Sequence, residues 1–142
     1  MRAYEVNRQG RAIVLHFSKG EDILEGILNQ CKEMDVKDAI VTGGIGSLRK
    51  LSFHRILDIK DDPSNEYLTI EGPIELTALN GMILNGEPHL HVTACDTRQF
   101  YGGHMELGCE VQYLGEISLI EIPEANLARR LDQFGISYID RL

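Results

Sequence analysis

The chain has 142 residues, 43% of them hydrophobic and 25% charged, and its formal net charge at pH 7 is −8. This length predicts one domain, residues 1–142, with a single hydrophobic core. The acidic balance disfavours nucleic acid as a partner, because affinity for phosphate comes from clustered Lys and Arg side chains.

No apolar run is long enough to cross a bilayer, and the first residues lack the apolar segment of a signal peptide. The three cysteines, Cys31, Cys95 and Cys109, are odd in number and lack Cys-x-x-Cys spacing, which is typical of reduced thiols. We therefore expect a cytoplasmic protein that does not contact membranes.

The first elements in chain order are a strand and a helix. Residues 12–17 form an apolar run that predicts a strand. Ser18 and Glu21 have the spacing of a capping box, which marks the start of a helix. The apolar residues between 23 and 34 then recur on one helical stripe, so we predict the main helix here.

A short strand, residues 38–42, leads into the glycine-rich segment 43–47. A dinucleotide-binding loop needs a helix directly after its glycines, whereas residues 48–59 look extended. We therefore predict a turn at 43–47 and not a phosphate-binding loop.

The second half of the chain is dominated by strand-like runs, with a loop at residues 61–65 between them and the first half. The predicted strands are residues 67–71, 74–84, 88–95, 104–113 and 116–122. Residues 127–131 predict a short C-terminal helix or turn. One main helix and many successive strands predict an α+β fold with a mostly antiparallel sheet.

Three of the five histidines, His89, His91 and His104, lie within sixteen residues. On a strand, the side chains of His89 and His91 project from the same face. Residues 96–99 have a common hairpin-loop length, and a hairpin closed there places His104 opposite His91. Three imidazoles that converge on one point predict a divalent-metal site, with zinc as the expected ion and one coordination position open.

The same register places Glu106 opposite His89, on the histidine face. Its carboxylate is the candidate catalytic group, either as a general base or as an acceptor that orients a histidine. The alternative is that these histidines are half-buried strand residues bonded to backbone or water.

Arg49, Lys50 and His54 are candidates for binding the anionic group of a small-molecule ligand. The alternative for these three residues is an ordinary solvated face. The sequence contains no convincing Ser-His-Asp or Cys-His nucleophile arrangement, so metal-assisted hydrolysis is the enzymatic chemistry that an open three-histidine site would support.

Four short segments resemble, in family order, the plants-and-prokaryotes-conserved (PPC) domain. They are GIGSLRKLSF at 44–53, EGPIELTALNG at 71–81, PHLH at 88–91 and GGHMELG at 102–108. The resemblance covers essentially the whole chain. It implies a compact α+β domain with a mostly antiparallel sheet, assembled as a homotrimer.

The resemblance is to the stand-alone prokaryotic type of the family. Plant members bind DNA through a separate AT-hook, Arg-Gly-Arg-Pro, whereas the segment RQGR at residues 8–11 lacks the proline and leads into an apolar run. Prokaryotic members often keep all three histidines, and the resemblance implies a metal at His89, His91 and His104.

Three hypotheses for function follow. The first is a trimeric metal-binding protein that acts on, or senses, a small molecule. The second is a DNA-binding or transcription-associated protein, which needs a basic face built by trimerisation from Arg2, Arg8, Arg11, Arg49, Lys50 and Arg55. The third is a protein-interaction module in which the histidines only brace a hairpin.

Overall fold

The structure is a computed structural model that describes residues 1–6 and 9–142. Its elements are β1 (Ala12–Ser18), α1 (Ile23–Glu33), β2 (Ala39–Ile56), β3 (Asn65–Leu84), β4 (Glu87–Cys95), β5 (Phe100–Met105), β6 (Glu110–Glu121), β7 (Leu127–Leu131) and β8 (Ser137–Arg141). Arg8, which belongs to the RQGR segment and to the predicted basic face, lies outside the described residues. No helix within the described ranges is long and apolar enough to cross a membrane.

The predicted main helix is present, but it begins later than the capping box indicates. Its N-cap is Asp22, whose carboxylate accepts a hydrogen bond of 2.9 Å from the backbone N–H of Glu25. Glu21 does accept from the backbone N–H of Ser18, at 2.6 Å. That pair closes a turn before the helix, and the Asp22 side chain instead caps the helix by accepting from one free N–H group of its first turn.

One antiparallel sheet forms most of the molecule, in the order β1-β6-β2-β3-β4-β5. The end of β5 also pairs with β2, so the sheet closes on itself through β2, β3, β4 and β5. The α+β class with a mostly antiparallel sheet and one main helix is therefore confirmed.

The turn predicted at residues 43–47 is wrong, because the chain continues through it as part of β2. The register between β2 and β6 shifts between Val41 and Gly43 and again between Gly46 and Leu48. Glycines in a strand often mark such bulges, where the strand bends without ending. The two short strands predicted on either side of the glycines are thus one long bent strand.

The short C-terminal helix predicted at residues 127–131 is also wrong. Leu127–Leu131 is strand β7, which pairs antiparallel with β8 as a separate two-stranded sheet. Leu127 is buried with Leu84, Ile122 and Ala125 in a second small apolar cluster. Strand pairing and this burial outweigh the weak helical preference of five residues.

The main core lies between α1 and the inner face of the sheet. Along β4 the side chains alternate, so that Leu90 and Val92 enter the core while His89 and His91 remain on the outer face. This alternation follows from the two-residue period of a strand. It places the histidine motif outside the core, where a ligand can reach it.

Candidate metal centre

The histidine pair of β4 is positioned by the strand itself. The rings of His89 and His91 stack nearly parallel, with centroids 5.2 Å apart and an interplanar angle of 12°. Their Nε2 atoms are 3.2 Å apart. Two imidazole nitrogens at this separation, both on exposed side chains, face the same point in space.

His104 joins the pair through the predicted hairpin. β4 and β5 pair with His91 opposite His104 and with Cys95 opposite Phe100, and so the predicted loop of residues 96–99 and the predicted register are both confirmed. The Asp96 carboxylate holds this loop by accepting hydrogen bonds from the backbone N–H groups of Arg98 and Gln99. The ring of His104 meets that of His89 edge-on, at a centroid distance of 4.8 Å.

The three histidines fit a metal ion. Each offers a ring nitrogen, and the three nitrogens lie within 4.8 Å of one another. A tetrahedral zinc ion with Zn–N bonds of about 2.05 Å separates two ligand nitrogens by about 3.3 Å. The Nε2 atoms of His89 and His91 are 3.2 Å apart. This separation also suits a hydrogen bond between two neutral imidazoles, but a third imidazole beside that pair favours a shared cation.

His54 is a further member of the cluster that the sequence motif did not reveal. The pairing of β5 with β2 puts His54 opposite His104, and their rings stack with centroids 4.5 Å apart. His54 had been predicted only as an anion-binding residue. It is fifty residues away from His104 along the chain, and only the closure of the sheet through β2 and β5 brings the two rings together.

Glu106 does not lie opposite His89, as the sequence predicts, but beside His54. The pairing of β4 and β5 ends at His91 and His104, and the backbone N–H of Glu106 donates to the carbonyl of Ser52 on β2. The Glu106 carboxylate oxygen is consequently 2.6 Å from Nδ1 of His54. The predicted pairing of Glu106 with His89 is wrong, because the β4–β5 pairing ends at His104 and the chain continues beside β2.

A second group of metal-ligating type therefore overlaps the first. His54, His104 and Glu106 also offer ligand atoms that lie within 4.8 Å of one another. His104 belongs to both groups and is the central residue of the cluster.

Burial keeps two of the imidazoles in the form that binds metal. Desolvation, followed by the neighbouring charges of His54 and His89, lowers the pKa of His104 to about 4. Desolvation and then the cation of Arg129 also lower the pKa of His89. Neutral imidazoles at pH 7 present free nitrogen lone pairs, as a metal site requires.

Cys31 and Cys109 do not supply a thiolate to this site. Burial raises the pKa of Cys109 to about 12 and also raises that of Cys31. Both thiols are therefore protonated at neutral pH, which suits neither a metal ligand nor a nucleophile.

Metal-free protein is expected to lose stability as the pH falls from about 6.5 to about 4. The pKa of His104 is about 4 in the folded chain against an ordinary value of 6.5, so the unfolded chain binds more protons between these two values. The free energy of unfolding therefore decreases as the pH drops through this window. Because water screens a partly exposed ring, we expect a loss on the order of 1–2 kcal/mol. Urea unfolding at pH 7 and pH 4 measures it.

A His104→Gln variant should lose correspondingly less stability over the same pH range. His16→Gln is the matched control, because His16 is exposed on β1, away from the cluster. An identical loss in the parent chain and in His104→Gln would contradict the assignment of this pH dependence to His104.

The other predicted anion-binding residues lie elsewhere. Arg49 forms an ion pair of 3.2 Å with Glu110 and lines a separate cavity of about 510 Å³ beside Pro73 and Tyr113. Lys50 lies beside Gly108, at the turn after β5. Of the three predicted residues, the structure thus brings His54 into the histidine cluster and directs Arg49 to another cavity.

The histidine pair opens onto a large cleft. The cleft has a volume of about 1000 Å³, and its walls include His89, His91, Tyr4, Arg129 and Tyr138. Its outer wall is built by the N-terminal segment and by the hairpin of β7 and β8. No local sequence feature points to Arg129, because that residue is near His89 only through the packing of this hairpin.

Comparison with known proteins identifies the family. A model of the Plants and Prokaryotes Conserved (PCC) domain matches residues 4–123, a range that contains His54, His89, His91 and His104. The chain belongs to this family. The resemblance inferred from the four sequence segments is confirmed, and the β7–β8 hairpin of this PCC-domain protein lies beyond the matched residues.

Solved structures share the fold. A PPC protein from Pyrococcus horikoshii is 29% identical with a TM-score of 0.80, over 95% of this chain and 94% of that one. A metal-containing protein from Archaeoglobus fulgidus is 22% identical with a TM-score of 0.80, over 97% and 98% of the two chains. A candidate DNA-binding protein from Bacteroides thetaiotaomicron is 19% identical with a TM-score of 0.79, over 97% of each chain. At their levels of identity, the last two show the fold alone.

A curated relative of the PCC-domain protein is the bifunctional protein GlmU of Synechococcus sp. (strain JA-2-3B'a(2-13)). It is 28% identical over 119 residues, which are 83% of this chain and 18% of that protein. The chain thus spans about a fifth of the length of the curated relatives that it matches.

Proposed function

We propose that this PCC-domain protein binds one divalent metal ion per chain through His89, His91 and His104, and that zinc is the ion. The observation that carries the proposal is the 3.2 Å separation of the Nε2 atoms of His89 and His91, with a nitrogen of His104 close to both. The description of the Archaeoglobus fulgidus neighbour as metal-containing supports it. Imidazole ligands favour zinc and similar ions over calcium or magnesium.

Three protein ligands leave room for a small molecule. A zinc ion held in this way supplies Lewis-acid chemistry at its open position. The open side of the cluster is the cleft of about 1000 Å³, a size that suits a small-molecule ligand. We therefore favour small-molecule binding as the role of the site.

Glu106 is best explained as a positioning residue. Its carboxylate is engaged by Nδ1 of His54 at 2.6 Å, and the His54 ring stacks on His104. A general base needs its carboxylate directed at the substrate, which Glu106 does not satisfy while it holds His54. Hydrolysis with Glu106 as the base is accordingly the weaker alternative.

DNA binding is the second candidate, since the Bacteroides thetaiotaomicron neighbour is described as a candidate DNA-binding protein. The predicted basic face is largely neutralised within the chain. Four of its arginines form ion pairs with carboxylates: Arg2 with Asp140, Arg11 with Glu121, Arg49 with Glu110 and Arg55 with Glu66. Such pairs reduce the local positive potential that phosphate binding needs, so we rank DNA below the metal.

A homotrimer of the single domain 1–142 is the assembly that we propose. The resemblance to the PPC family supports it, as do exposed apolar side chains on the outer face of β1 and β2. Val14 is 79% exposed and Ile45 is 55% exposed in the isolated chain. Apolar side chains clustered at a surface commonly mark a contact between subunits.

The test is zinc binding by the parent chain and by a His89→Ala/His91→Ala double variant. We expect about one zinc per chain in the parent, measured by mass spectrometry after purification without chelator, and a loss of affinity of at least roughly 1000-fold in the double variant. Isothermal titration with zinc gives the affinities.

His16→Ala is the control, because it removes a histidine outside the cluster; since His16 shares the outer face of β1 with Val14, light scattering checks that the variant keeps the parental assembly. Protein that takes up no zinc, or a double variant that binds zinc as the parent does, would refute the metal site. The protein-interaction hypothesis would then become the better explanation of the histidine hairpin.

A further inference from the structure

Among the described side chains of the cleft beside His89 and His91, the Arg129 cation has no carboxylate within ion-pair distance. Arg129 lies on β7 and lines the cleft together with both histidines.

The position of Arg129 is fixed by backbone carbonyls around His89. Its Nη1 donates to the carbonyl of Glu87 at 2.8 Å, and its Nη2 donates to that of Met82 at 3.5 Å. Glu87 precedes His89 by two residues on β4, and Met82 is the cross-strand neighbour of His89 on β3. The guanidinium is therefore held next to His89 by two neutral acceptors.

These contacts leave the Arg129 guanidinium with unused N–H donors and with its positive charge available to a ligand. A guanidinium carries five N–H donors, and Arg129 uses two of them within the described part of the chain. No carboxylate among the described residues forms an ion pair with it. Burial lowers the pKa of Arg129, and the charge of exposed Glu87 acts on it from beyond ion-pair distance.

Two other charged side chains, Arg2 and Asp132, line the cleft. Arg2 lies 3.6 Å from the Asp140 carboxylate and stacks over the Tyr138 ring. The Asp132 carboxylate accepts hydrogen bonds of 2.9 Å from the backbone N–H groups of Phe134 and Ile136. Among the described side chains that line the cleft, Arg129 is therefore the cation that no carboxylate pairs with.

We propose that the cleft binds a small-molecule oxyanion, either a carboxylate or a phosphate group, with Arg129 as its protein anchor beside the metal. The inference rests on the proposed metal site. Imidazole ligands bring no negative charge to a divalent ion, so its double charge stays uncancelled, and Arg129 adds one more positive charge next to it. Carboxylates and phosphates are the groups that a guanidinium recognises with paired hydrogen bonds.

The experiment uses cobalt-loaded protein, whose visible spectrum reports changes in the metal's ligands. Acetate serves as the carboxylate probe and methylphosphonate as the phosphate-like probe, each titrated separately. The probe that binds with the higher affinity identifies the class of anion. An Arg129→Gln variant is expected to bind the preferred probe roughly 10- to 100-fold more weakly, as the loss of a charge-assisted hydrogen bond predicts.

Arg130→Gln is the matched control. It removes the same charge from the next residue of β7, which is exposed and points to the opposite face. It should bind the probes as the parent does. Arg129→Gln should also bind cobalt as tightly as the parent or more tightly, because removing a nearby positive charge cannot weaken the attraction of a cation.

The outcomes separate this inference from the metal proposal. A parent chain that takes up no cobalt refutes the metal site and this inference with it. Cobalt-loaded parent that binds neither probe, or an Arg129→Gln variant that binds both as the parent does, refutes the anion site alone. Near-ultraviolet circular dichroism checks whether Arg129→Gln detaches the β7–β8 hairpin. If it does, probe binding is measured in Arg129→Lys instead. Lysine keeps the charge but not the paired donors, so probe binding that is weaker than in the parent but tighter than in Arg129→Gln supports the inference, and binding as weak as in Arg129→Gln overturns it.

Discussion

A His104→Ala variant is expected to lose at least roughly 100-fold in zinc affinity, whereas His54→Ala should lose about 10-fold or less. His104 belongs to both groups of candidate ligands, since it is close to His89 and His91 on one side and to His54 and Glu106 on the other. His54 stacks on His104 and bonds to Glu106, and it is not one of the three proposed ligands. Its removal leaves the three proposed ligands in place but loosens the ring of one of them. Isothermal titration with zinc measures both variants.

Glu106→Gln and His89→Ala complete this comparison, because they distinguish the two overlapping groups. If the metal lies at His89, His91 and His104, then His89→Ala should resemble His104→Ala, and Glu106→Gln should resemble His54→Ala. The reverse pattern, with tight binding in His89→Ala and loss in Glu106→Gln, would move the metal to the group formed by His54, His104 and Glu106.

The parts of the site that could be predicted from the sequence are those fixed by local geometry. The two-residue period of a strand puts His89 and His91 on one face, and the four-residue loop sets the pairing of His91 with His104. Both features depend on fewer than twenty consecutive residues. They hold in the structure because nothing outside the hairpin is needed to define them.

The parts that could not be predicted depend on contacts between distant segments. His54 reaches His104 only because β5 leaves β4 and pairs with β2, and the same change moves Glu106 away from His89. Arg129 reaches His89 only because residues 127–131 form a strand and not the predicted helix. In each case tertiary pairing overrides a weak local preference, and a single sequence carries little information about such pairing.

Gly81→Ala is expected to cost roughly 3 kcal/mol or more in stability and to weaken zinc binding. The φ angle of Gly81 is 143°, a region that residues with a side chain adopt at a cost of roughly 1–3 kcal/mol. A Cβ at this position would also overlap the carbonyl oxygen of His89 and lie 2.9 Å from Cα of Leu90. Forcing atoms into such a close contact costs roughly a further 1–3 kcal/mol. Urea unfolding and zinc titration measure the two effects.

Gly72→Ala is the control that separates the two costs of Gly81→Ala, namely backbone strain and the overlap of the new Cβ with β4. Gly72 lies on the same strand with the same φ of 143°, but a Cβ there would meet nothing within 4 Å. Gly72→Ala should therefore show only the backbone cost and should keep parental zinc affinity. The difference between the two variants measures how far the packing of β3 against β4 fixes the position of His89. Equal stability losses with unchanged zinc affinity in both variants would show that the histidine pair does not depend on this contact.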